Sequence, residues 1–337
     1  MISEHNSNII SNLRLPLMIM VVFIHSYLTK SDLMPFVTFV EDVFSKCIPI
    51  VAVPTFMFIS GYLYFSKCKH FTLFFYKTQT LKRIRTLLVP YIVWNTIVIF
   101  IFWSLHRFAP TIINPSFENI QDYTILQLLD CYWRGSGGFP IAYQFWFIRD
   151  LFIIALLSPL IYLIAKSRYI GITIVMMLFM STFSSYVEMG AYFFMGAYCA
   201  INNVDFSALK TPLRVTVLIA YIVLACIYLS MQSNEVIRKL LILCGSVSLL
   251  NLKVLRLAPK QLFRDISSGA FFLFCMHGIV DLFTCKILTD VIHSESQLLW
   301  IMLYFINVTI VIFICMTIYF VIKKISPRLL NAITGNR

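Results

Sequence analysis

Charged side chains are scarce in this chain. Only 12% of its 337 residues are Asp, Glu, Lys or Arg, whereas 60% are hydrophobic and the mean hydropathy is +0.85. A soluble domain carries about 25% charged residues, so this composition excludes an ordinary water-soluble fold. Lipid is the common solvent that accepts so much apolar surface. The composition therefore predicts an integral membrane protein.

Cysteine pairs with metal-ligand spacing and phosphate-binding loops are also missing. None of the nine cysteines belongs to a C-x-x-C motif, and most lie within apolar runs, where cysteine acts as a small hydrophobic residue. Cys47 and Cys131 fall on the same predicted side, but we do not expect a disulfide between them. The stretch 134–138 is rich in glycine, yet it neither follows a strand nor opens a helix as a phosphate loop does. We therefore predict no metal site and interpret residues 107–145 as a flexible external lid.

Long apolar runs make up most of the chain. A membrane-spanning helix needs roughly 20 mostly apolar residues, so the length allows about ten spans with short loops. The first run contains Arg14 and His25 and lacks a small-residue cleavage site, so it is not a signal peptide. Three runs, at 169–183, 188–201 and 239–252, are short enough to be tilted, partly buried or re-entrant. The ten runs lie at 13–30, 47–65, 87–106, 146–165, 169–183, 188–201, 213–231, 239–252, 266–288 and 298–322.

Basic residues are distributed unevenly between the predicted loops. If the N-terminus is cytoplasmic, 19 of the 27 Lys and Arg residues fall on the cytoplasmic side. The positive-inside rule predicts this asymmetry, with both termini in the cytoplasm. The net charge of +12 therefore reflects topology and requires no nucleic-acid partner. The sequence predicts an all-α, polytopic membrane helix bundle of about ten transmembrane helices, formed by one domain, residues 1–337.

Arg14 and His25 are the first pair of ionisable residues in an apolar run. They are eleven positions apart, which is about three helical turns, so both point to one helix face and lie roughly 16 Å apart along the axis. His25 would lie beyond the middle of the bilayer, where an ionisable group is costly and usually faces a cavity or a partner. The alternative is a structural histidine bonded to a neighbouring helix, with Arg14 as an interface anchor.

Trp146, Arg149 and Asp150 open the run at 146–165. Their spacing of i, i+3 and i+4 places them on one helix face, near the predicted outer interface. They are either part of an aromatic belt with an arginine that reaches headgroups, or an edge that binds an anion or a sugar close to His25.

His277 and Asp281 lie near the middle of the ninth predicted span, four residues apart on one face. The carboxylate could orient the imidazole, as it does for many catalytic histidines. Equally, the two side chains could form a buried structural pair.

Lys82, Arg83 and Arg85 form a basic group on the predicted cytoplasmic side. Clustered Arg and Lys side chains suit phosphate groups. A positive-inside anchor explains the same residues without any ligand. Both interpretations stay open on sequence alone.

Taken together, these residues resemble the acyltransferase family 3 membrane proteins, which include polysaccharide and lipopolysaccharide O-acetyltransferases. The resemblance covers nearly the whole chain in the expected order. Its features are Arg14 followed by His25, residues 53–62, Arg83 through Pro90, Tyr91 and Trp94, residues 145–151, residues 194–196 and the late His277.

The resemblance implies a membrane O-acyltransferase that takes acyl-CoA, with acetyl as the commonest group, from the cytoplasm. The acceptor would be a hydroxyl of a cell-surface glycan or its lipid-linked precursor, and the location the bacterial cytoplasmic membrane. Acyl-CoA would be a co-substrate, with no cofactor bound permanently. The family's catalytic arginine–histidine pair matches Arg14 and His25, with His25 as general base or acyl carrier. The expected coenzyme contacts are Lys82, Arg83 and Arg85, and the expected acceptor contacts are Trp146, Arg149, Asp150, His277 and Asp281.

A secondary transporter or exporter of a small polar solute is the main alternative. His25, Arg149, His277 and Asp281 would then line a path, since intramembrane charges fit both classes. No repeated halves or paired broken helices are visible in the sequence. A membrane scaffold, the third class, leaves the grouped ionisable residues without a purpose.

Overall fold

Each of the ten apolar runs contributes a helix to the fold. The computed structural model describes residues 3–28, 34–68, 70–110, 119–134, 138–180, 185–231 and 234–335, and every regular element in these ranges is helical. The helices are α1 Glu4–His25, α2 Pro35–Glu41, α3 Ala52–Phe65, α4 Leu73–Arg83, α5 Val89–Phe108, α6 Ile125–Asp130, α7 Trp146–Leu156, α8 Ser158–Ala165, α9 Arg168–Met180, α10 Ser185–Ile201, α11 Thr211–Ser230, α12 Glu235–Leu250, α13 Gln261–Ser267, α14 Ala270–Val291, α15 Gln297–Ile325 and α16 Pro327–Thr334.

Six helical stretches in the described ranges are long and apolar enough to cross a membrane. A seventh is added if α7 and α8, which meet at an angle of 62°, count as one broken span. The chain is therefore a multi-pass membrane protein, but the predicted count of ten is not confirmed. The six stretches are Glu4–His25, Pro35–Phe65, Leu73–Phe108, Thr211–Ser230, Ala270–Val291 and Gln297–Ile325.

One end of the bundle, here called the basal face, gathers the first turns of α1 and the loops 202–210 and 251–260. The Asn6 side chain donates to Asp205 at 3.3 Å and accepts from Ser207 at 2.8 Å. Burial raises the pKa of Asp205, but hydrogen bonds from Ser207 and Asn6 outweigh it, so the pKa is lowered overall. These polar contacts explain why α1 begins well before its apolar run. That this face is cytoplasmic stays a prediction.

The closest helix pair is α3 with α10, which cross at two glycines. A Cβ atom on Gly61 would collide with the carbonyl oxygen of Phe193, and one on Gly196 would collide with that of Phe58. Only glycine lets the two backbones approach this closely, as small residues do at helix crossings in membranes. This crossing holds α3 against α10, and α3 also contacts α1.

The second half of the loop 107–145 enters the bundle, which contradicts the predicted external lid. Residues 131–134 and 138–145, here called the inserted segment, reach the level of mid-α14, where Gln144 Nε2 donates to the Cys275 carbonyl oxygen at 3.0 Å. The Ala142 N–H donates to Asn95 Oδ1 at 3.1 Å. Irregular backbone at membrane depth requires such partners within the protein. Residues 111–118 and 135–137, including the centre of the glycine-rich stretch, lie outside the described residues.

All nine cysteines are free thiols. Cys131 is buried in the inserted segment, whereas Cys47 packs against α11, where its Sγ atom lies 3.8 Å from the Ala225 carbonyl oxygen. The two residues that the predicted topology placed on one side therefore belong to different parts of the bundle.

Candidate functional site

His25 is the last residue of α1, and it lies at the level of the middle of α14. Its half-buried imidazole ring is 4.8 Å from the ring of Tyr143 and 5.4 Å from that of His277, between ring centroids. Three elements therefore meet at this point: the end of α1, the inserted segment and α14. The structure brings together the two histidines that the sequence placed in different spans.

The hydrogen bonds of His277 fix which ring nitrogen carries the proton. Its Nδ1 atom lies 2.8 Å from the Phe274 carbonyl oxygen and 3.2 Å from that of Leu273. Because a carbonyl only accepts, Nδ1 must donate, and Nε2 of the neutral ring keeps its lone pair. Nε2 is buried and has no hydrogen-bond partner among the described residues. An unpartnered buried nitrogen beside a second imidazole makes His277 a candidate for a functional role.

Asp281 does not pair with His277, so both predicted versions of that pair are wrong. The two share a helix face, but the Nδ1 proton is taken by carbonyls of α14 itself. Asp281 Oδ1 instead accepts from Asn307 at 2.9 Å and from Ser26 at 3.0 Å. Because Ser26 follows His25 directly, Asp281 holds the end of α1 in place.

A second buried carboxylate supports the same turn. Glu41 is fully buried, and its Oε1 atom accepts from the Leu28 N–H at 3.1 Å. A salt bridge of 2.7 Å between Asp42 and Lys46 lies one turn further along. The carboxylates of α2 and α14 therefore hold the backbone that leaves His25.

Arg14 lies three turns before His25 on α1, and its side chain is exposed. Its neighbours Ile10, Leu13 and Leu17 are all nearly or fully buried, because α1 packs against α3, α13, α14 and α15. The Arg14 side chain is therefore accessible on a helix whose neighbouring residues are buried. Among the described residues it has no hydrogen-bond or ion-pair partner, which leaves it available for an anion.

Arg149 and Asp150 form a buried ion pair, at 3.0 Å between Nε and Oδ1. The Arg149 guanidinium also donates to the Trp133 carbonyl oxygen and lies 5.3 Å from the Trp133 ring. With only 6% of its surface exposed, Arg149 does not reach lipid headgroups as one interpretation predicted. The predicted position near the outer interface stays a prediction, but the pair lies inside the bundle against the inserted segment. Trp146 is partly buried against the core beside Phe147.

The basic group at 82–85 does not converge on one point. Arg83 turns inward, with its guanidinium 3.5 Å from the Ser60 carbonyl oxygen and 5.4 Å from the Tyr64 ring. Lys82 and Arg85 are exposed. A π-helical turn at Ile84–Leu88 separates the directions of these side chains. Only Lys82 and Arg85 are therefore open to a ligand.

A cavity of about 480 Å³ adjoins the histidine pair. It lies between α5, α14 and the inserted segment, and Tyr143 and Gln144 form the wall nearest to His25. A side chain at position 278 would press on Gln144, since a Cβ atom there would lie 2.9 Å from Gln144 Oε1. Glycine at this position therefore lets the inserted segment lie directly against α14.

Sequence reasoning missed Tyr143, Gln144, Ser26, Glu41 and Asn307. A usable signal existed for three of them, since Glu41, Gln144 and Asn307 are isolated polar residues beside or within apolar runs. Such residues usually face a partner inside the bundle. Tyr143 and Ser26 carry no comparable signal. Among the described residues, the structure contains no group of three or more His, Cys, Asp or Glu side chains that could hold a metal ion.

A comparison with protein families decides the class of this protein. The family model of the acyltransferase domain of acyltransferase family 3 matches residues 8–320. The chain belongs to acyltransferase family 3. No curated protein and no solved structure matches it.

Because the chain belongs to this family, it is a membrane enzyme that transfers an acyl group. The matched region contains all the predicted site residues, from Arg14 to Asp281. The choice between an enzyme and a transporter is thereby settled in favour of the enzyme. The resemblance recognised in the sequence is confirmed.

Proposed function

We propose that this enzyme transfers an acyl group, with acetyl as the first candidate, from cytoplasmic acyl-CoA to a hydroxyl of a cell-surface glycan or its lipid-linked precursor. The proposal places it in the bacterial cytoplasmic membrane. The observation that carries it is the histidine pair at mid-depth, with the unpartnered Nε2 of His277 beside the His25 ring. Arg14 lies on the basal side of this pair and the 480 Å³ cavity adjoins it through Tyr143.

The donor would approach from the basal face. Coenzyme A carries several phosphates, so its nucleotide is favoured near basic side chains and disfavoured inside the bundle. From the exposed Arg14 the thin arm would run along α1 towards His25. Arg14 would bind a phosphate or stabilise the charge that develops during transfer. Lys82 and Arg85, which are exposed, would contribute to nucleotide binding.

His25 would perform the chemistry as a general base or as an acyl carrier. If the His25 N–H donates to Nε2 of His277, the other ring nitrogen of His25 keeps its lone pair. As a base, this nitrogen takes the proton of the acceptor hydroxyl, whose oxygen attacks the thioester carbonyl. The carbon–sulfur bond breaks, the acyl group is bound to the acceptor as an ester, and the thiolate takes up the proton. As a carrier, the nitrogen attacks the thioester carbonyl and the thiolate leaves. The acceptor oxygen then takes the acyl group as the carbon–nitrogen bond breaks, and the proton of its hydroxyl goes to the thiolate.

Arg149, Asp150 and Trp146 would act on the acceptor indirectly. The ion pair holds the Trp133 carbonyl, and thus the inserted segment that lines the cavity. Asp281 likewise acts through Ser26, which positions His25. Of the predicted acceptor contacts, His277 alone adjoins the His25 ring.

Mass spectrometry of envelope glycans tests the reaction in cells. We expect glycans from cells that lack the gene to lose the mass of the acyl group. For an acetyl group this difference is roughly 42 Da per modified hydroxyl. Purified enzyme should release free thiol from acetyl-CoA through repeated turnovers only when an acceptor hydroxyl is present. Unchanged glycans together with acceptor-independent thiol release would contradict the proposal.

A further inference from the structure

The cavity beside the histidine pair opens between two diverging helices. Near the basal ends of α5 and α14, the rings of Trp94 and Phe272 touch, at 5.8 Å between centroids. Further along, the cavity separates Val98 of α5 from Ile279 of α14. Both helices belong to apolar stretches long enough to cross a membrane. The cavity therefore lies at membrane depth, between two spans.

The walls of this cavity are mostly apolar, and its polar lining residues are Tyr123, Gln127, Asp130, Tyr143 and Gln144. Among its 18 lining residues, Asp130 is the only charged one. Phe139 and Leu282 contribute accessible apolar surface, with 51% and 40% of their surfaces exposed. Against such walls, the hydroxyls of an acceptor made only of sugars would lose their hydrogen bonds to water without replacement. An apolar chain would instead gain by leaving water.

The end of the cavity nearest to α1 carries two polar side chains. Tyr143 and Gln144 line the cavity there, and the Tyr143 ring contacts His25 edge-on at 4.8 Å. A molecule with an apolar chain in the cavity would thus present its polar end at His25. Ligand sites commonly combine apolar walls with a few polar groups that fix orientation in this way.

We propose that the cavity binds the hydrocarbon chain of a lipid-linked acceptor and thereby presents the acceptor hydroxyl at His25. The proposal rests on the acyl transfer proposed above. It narrows the acceptor from any surface glycan to a hydroxyl-bearing head group that is still attached to its membrane lipid. The rival occupant with the same chemistry is a long acyl chain of the donor, and the test must distinguish the two.

Two variants of α14 provide the test. Ile279→Trp fills the cavity, whereas Ile287→Trp adds the same bulk on the same helix at a lipid-facing position, 60% exposed and outside the cavity lining. Purified enzyme in nanodiscs receives acetyl-CoA with either decyl glucoside or methyl glucoside as acceptor. We expect wild type to prefer the decyl glycoside, and Ile279→Trp to raise its KM about tenfold, a loss that corresponds to part of one buried alkyl chain. Ile287→Trp should leave this KM unchanged.

Two outcomes would overturn the proposal while acyl transfer itself stands. One is equal use of methyl and decyl glucoside by wild type. The other is that Ile279→Trp changes the selectivity among acetyl-, hexanoyl- and palmitoyl-CoA but not the selectivity between the two acceptors. This result would assign the cavity to the acyl chain of the donor.

A binding measurement keeps the test independent of turnover. A decyl glucoside with a photoreactive diazirine in its chain should label the peptide that contains Ile279, and excess decyl glucoside, but not methyl glucoside, should suppress labelling. Labelling without transfer to any acceptor would support the lipid site and contradict the proposed function. Failure to label any cavity residue would contradict the lipid site alone.

Discussion

His277 is the residue whose role changes most between sequence and structure. The spacing of four residues suggested that Asp281 holds its ring, but carbonyls of its own helix do so and leave Nε2 free. We expect His277→Phe, which keeps a ring but no nitrogen, to lower kcat by about tenfold or more because it removes the unpartnered Nε2 beside the His25 ring. His277→Gln, which retains an acceptor oxygen, should recover part of the loss. The measurement is kcat per folded protein at saturating donor.

Stability is the control for this pair of variants. Both should elute as folded protein in size-exclusion chromatography, because Asp281 keeps its bonds to Ser26 and Asn307 when His277 is replaced. If His277→Phe turns over at the wild-type rate, Nε2 has no part in the reaction.

The basic group at 82–85 separates into two kinds of residue. Lys82→Gln combined with Arg85→Gln should raise the apparent KM for acyl-CoA, because these exposed cations would contact its phosphates. Arg83→Gln should instead lower the thermal stability, since its guanidinium contacts the Ser60 carbonyl and the Tyr64 ring. Steady-state kinetics and thermal melting of the same preparations separate the two effects. An unchanged KM in the double variant would show that Lys82 and Arg85 do not bind acyl-CoA and would favour their interpretation as interface anchors.

Among the helix contacts, the crossing of α3 and α10 leaves the least space for a larger side chain. Gly61→Ala and Gly196→Ala should each destabilise the fold by about 1–3 kcal/mol, the usual range for overpacking a tight contact. Gly190→Ala is the matched control on the same helix, since a Cβ atom there meets nothing within 4 Å. Thermal melting in detergent measures all three variants. Equal melting temperatures for Gly196→Ala and Gly190→Ala would show that the backbones can move apart without cost.

Hydropathy predicted where helices form but not how deep each one lies. Each of the ten runs contains a helix, because a helix within lipid requires a long apolar run whichever helices it packs against. The inserted segment escaped prediction because its burial depends on distant partners such as Asn95 and Arg149. Its own sequence is interrupted by Arg134, Gly138 and Pro140, so it contains no apolar run long enough to predict a buried helix. The burial of Arg149 and Asp150 against this segment could not be predicted for the same reason.

At the scale of the whole molecule, the orientation in the membrane follows from the basic residues. A reporter fused after Arg337 and a single-cysteine label in the loop 202–210 should both prove cytoplasmic, as the positive-inside rule requires. The basal face, which contains that loop, is then the side from which acyl-CoA enters. A tag accessible from outside intact cells at either position would reverse the membrane orientation and remove the route proposed for the donor.

The candidate site could be predicted only in part. Arg14, His25 and His277 were found because ionisable residues are rare in apolar helices, and each such residue is a functional candidate. Their assembly could not be predicted, since it needs the packing of α1 against α14 and of Tyr143 against His25. Two carboxylates support the site indirectly: Glu41 accepts from the Leu28 N–H, and Asp281 accepts from the Ser26 hydroxyl. Sequence spacing does not reveal such supporting roles.

Acyl transfer by His25→Ala enzyme is the most direct test of the account. His293→Ala is the matched control, because it removes an exposed imidazole outside the site. With acetyl-CoA and decyl glucoside, His25→Ala should lose at least about a hundredfold in acylated product per folded protein, as expected when a general base is removed, while His293→Ala should match wild type. Transfer by His25→Ala at a near wild-type rate would contradict the central claim that acyl groups pass to the acceptor at His25.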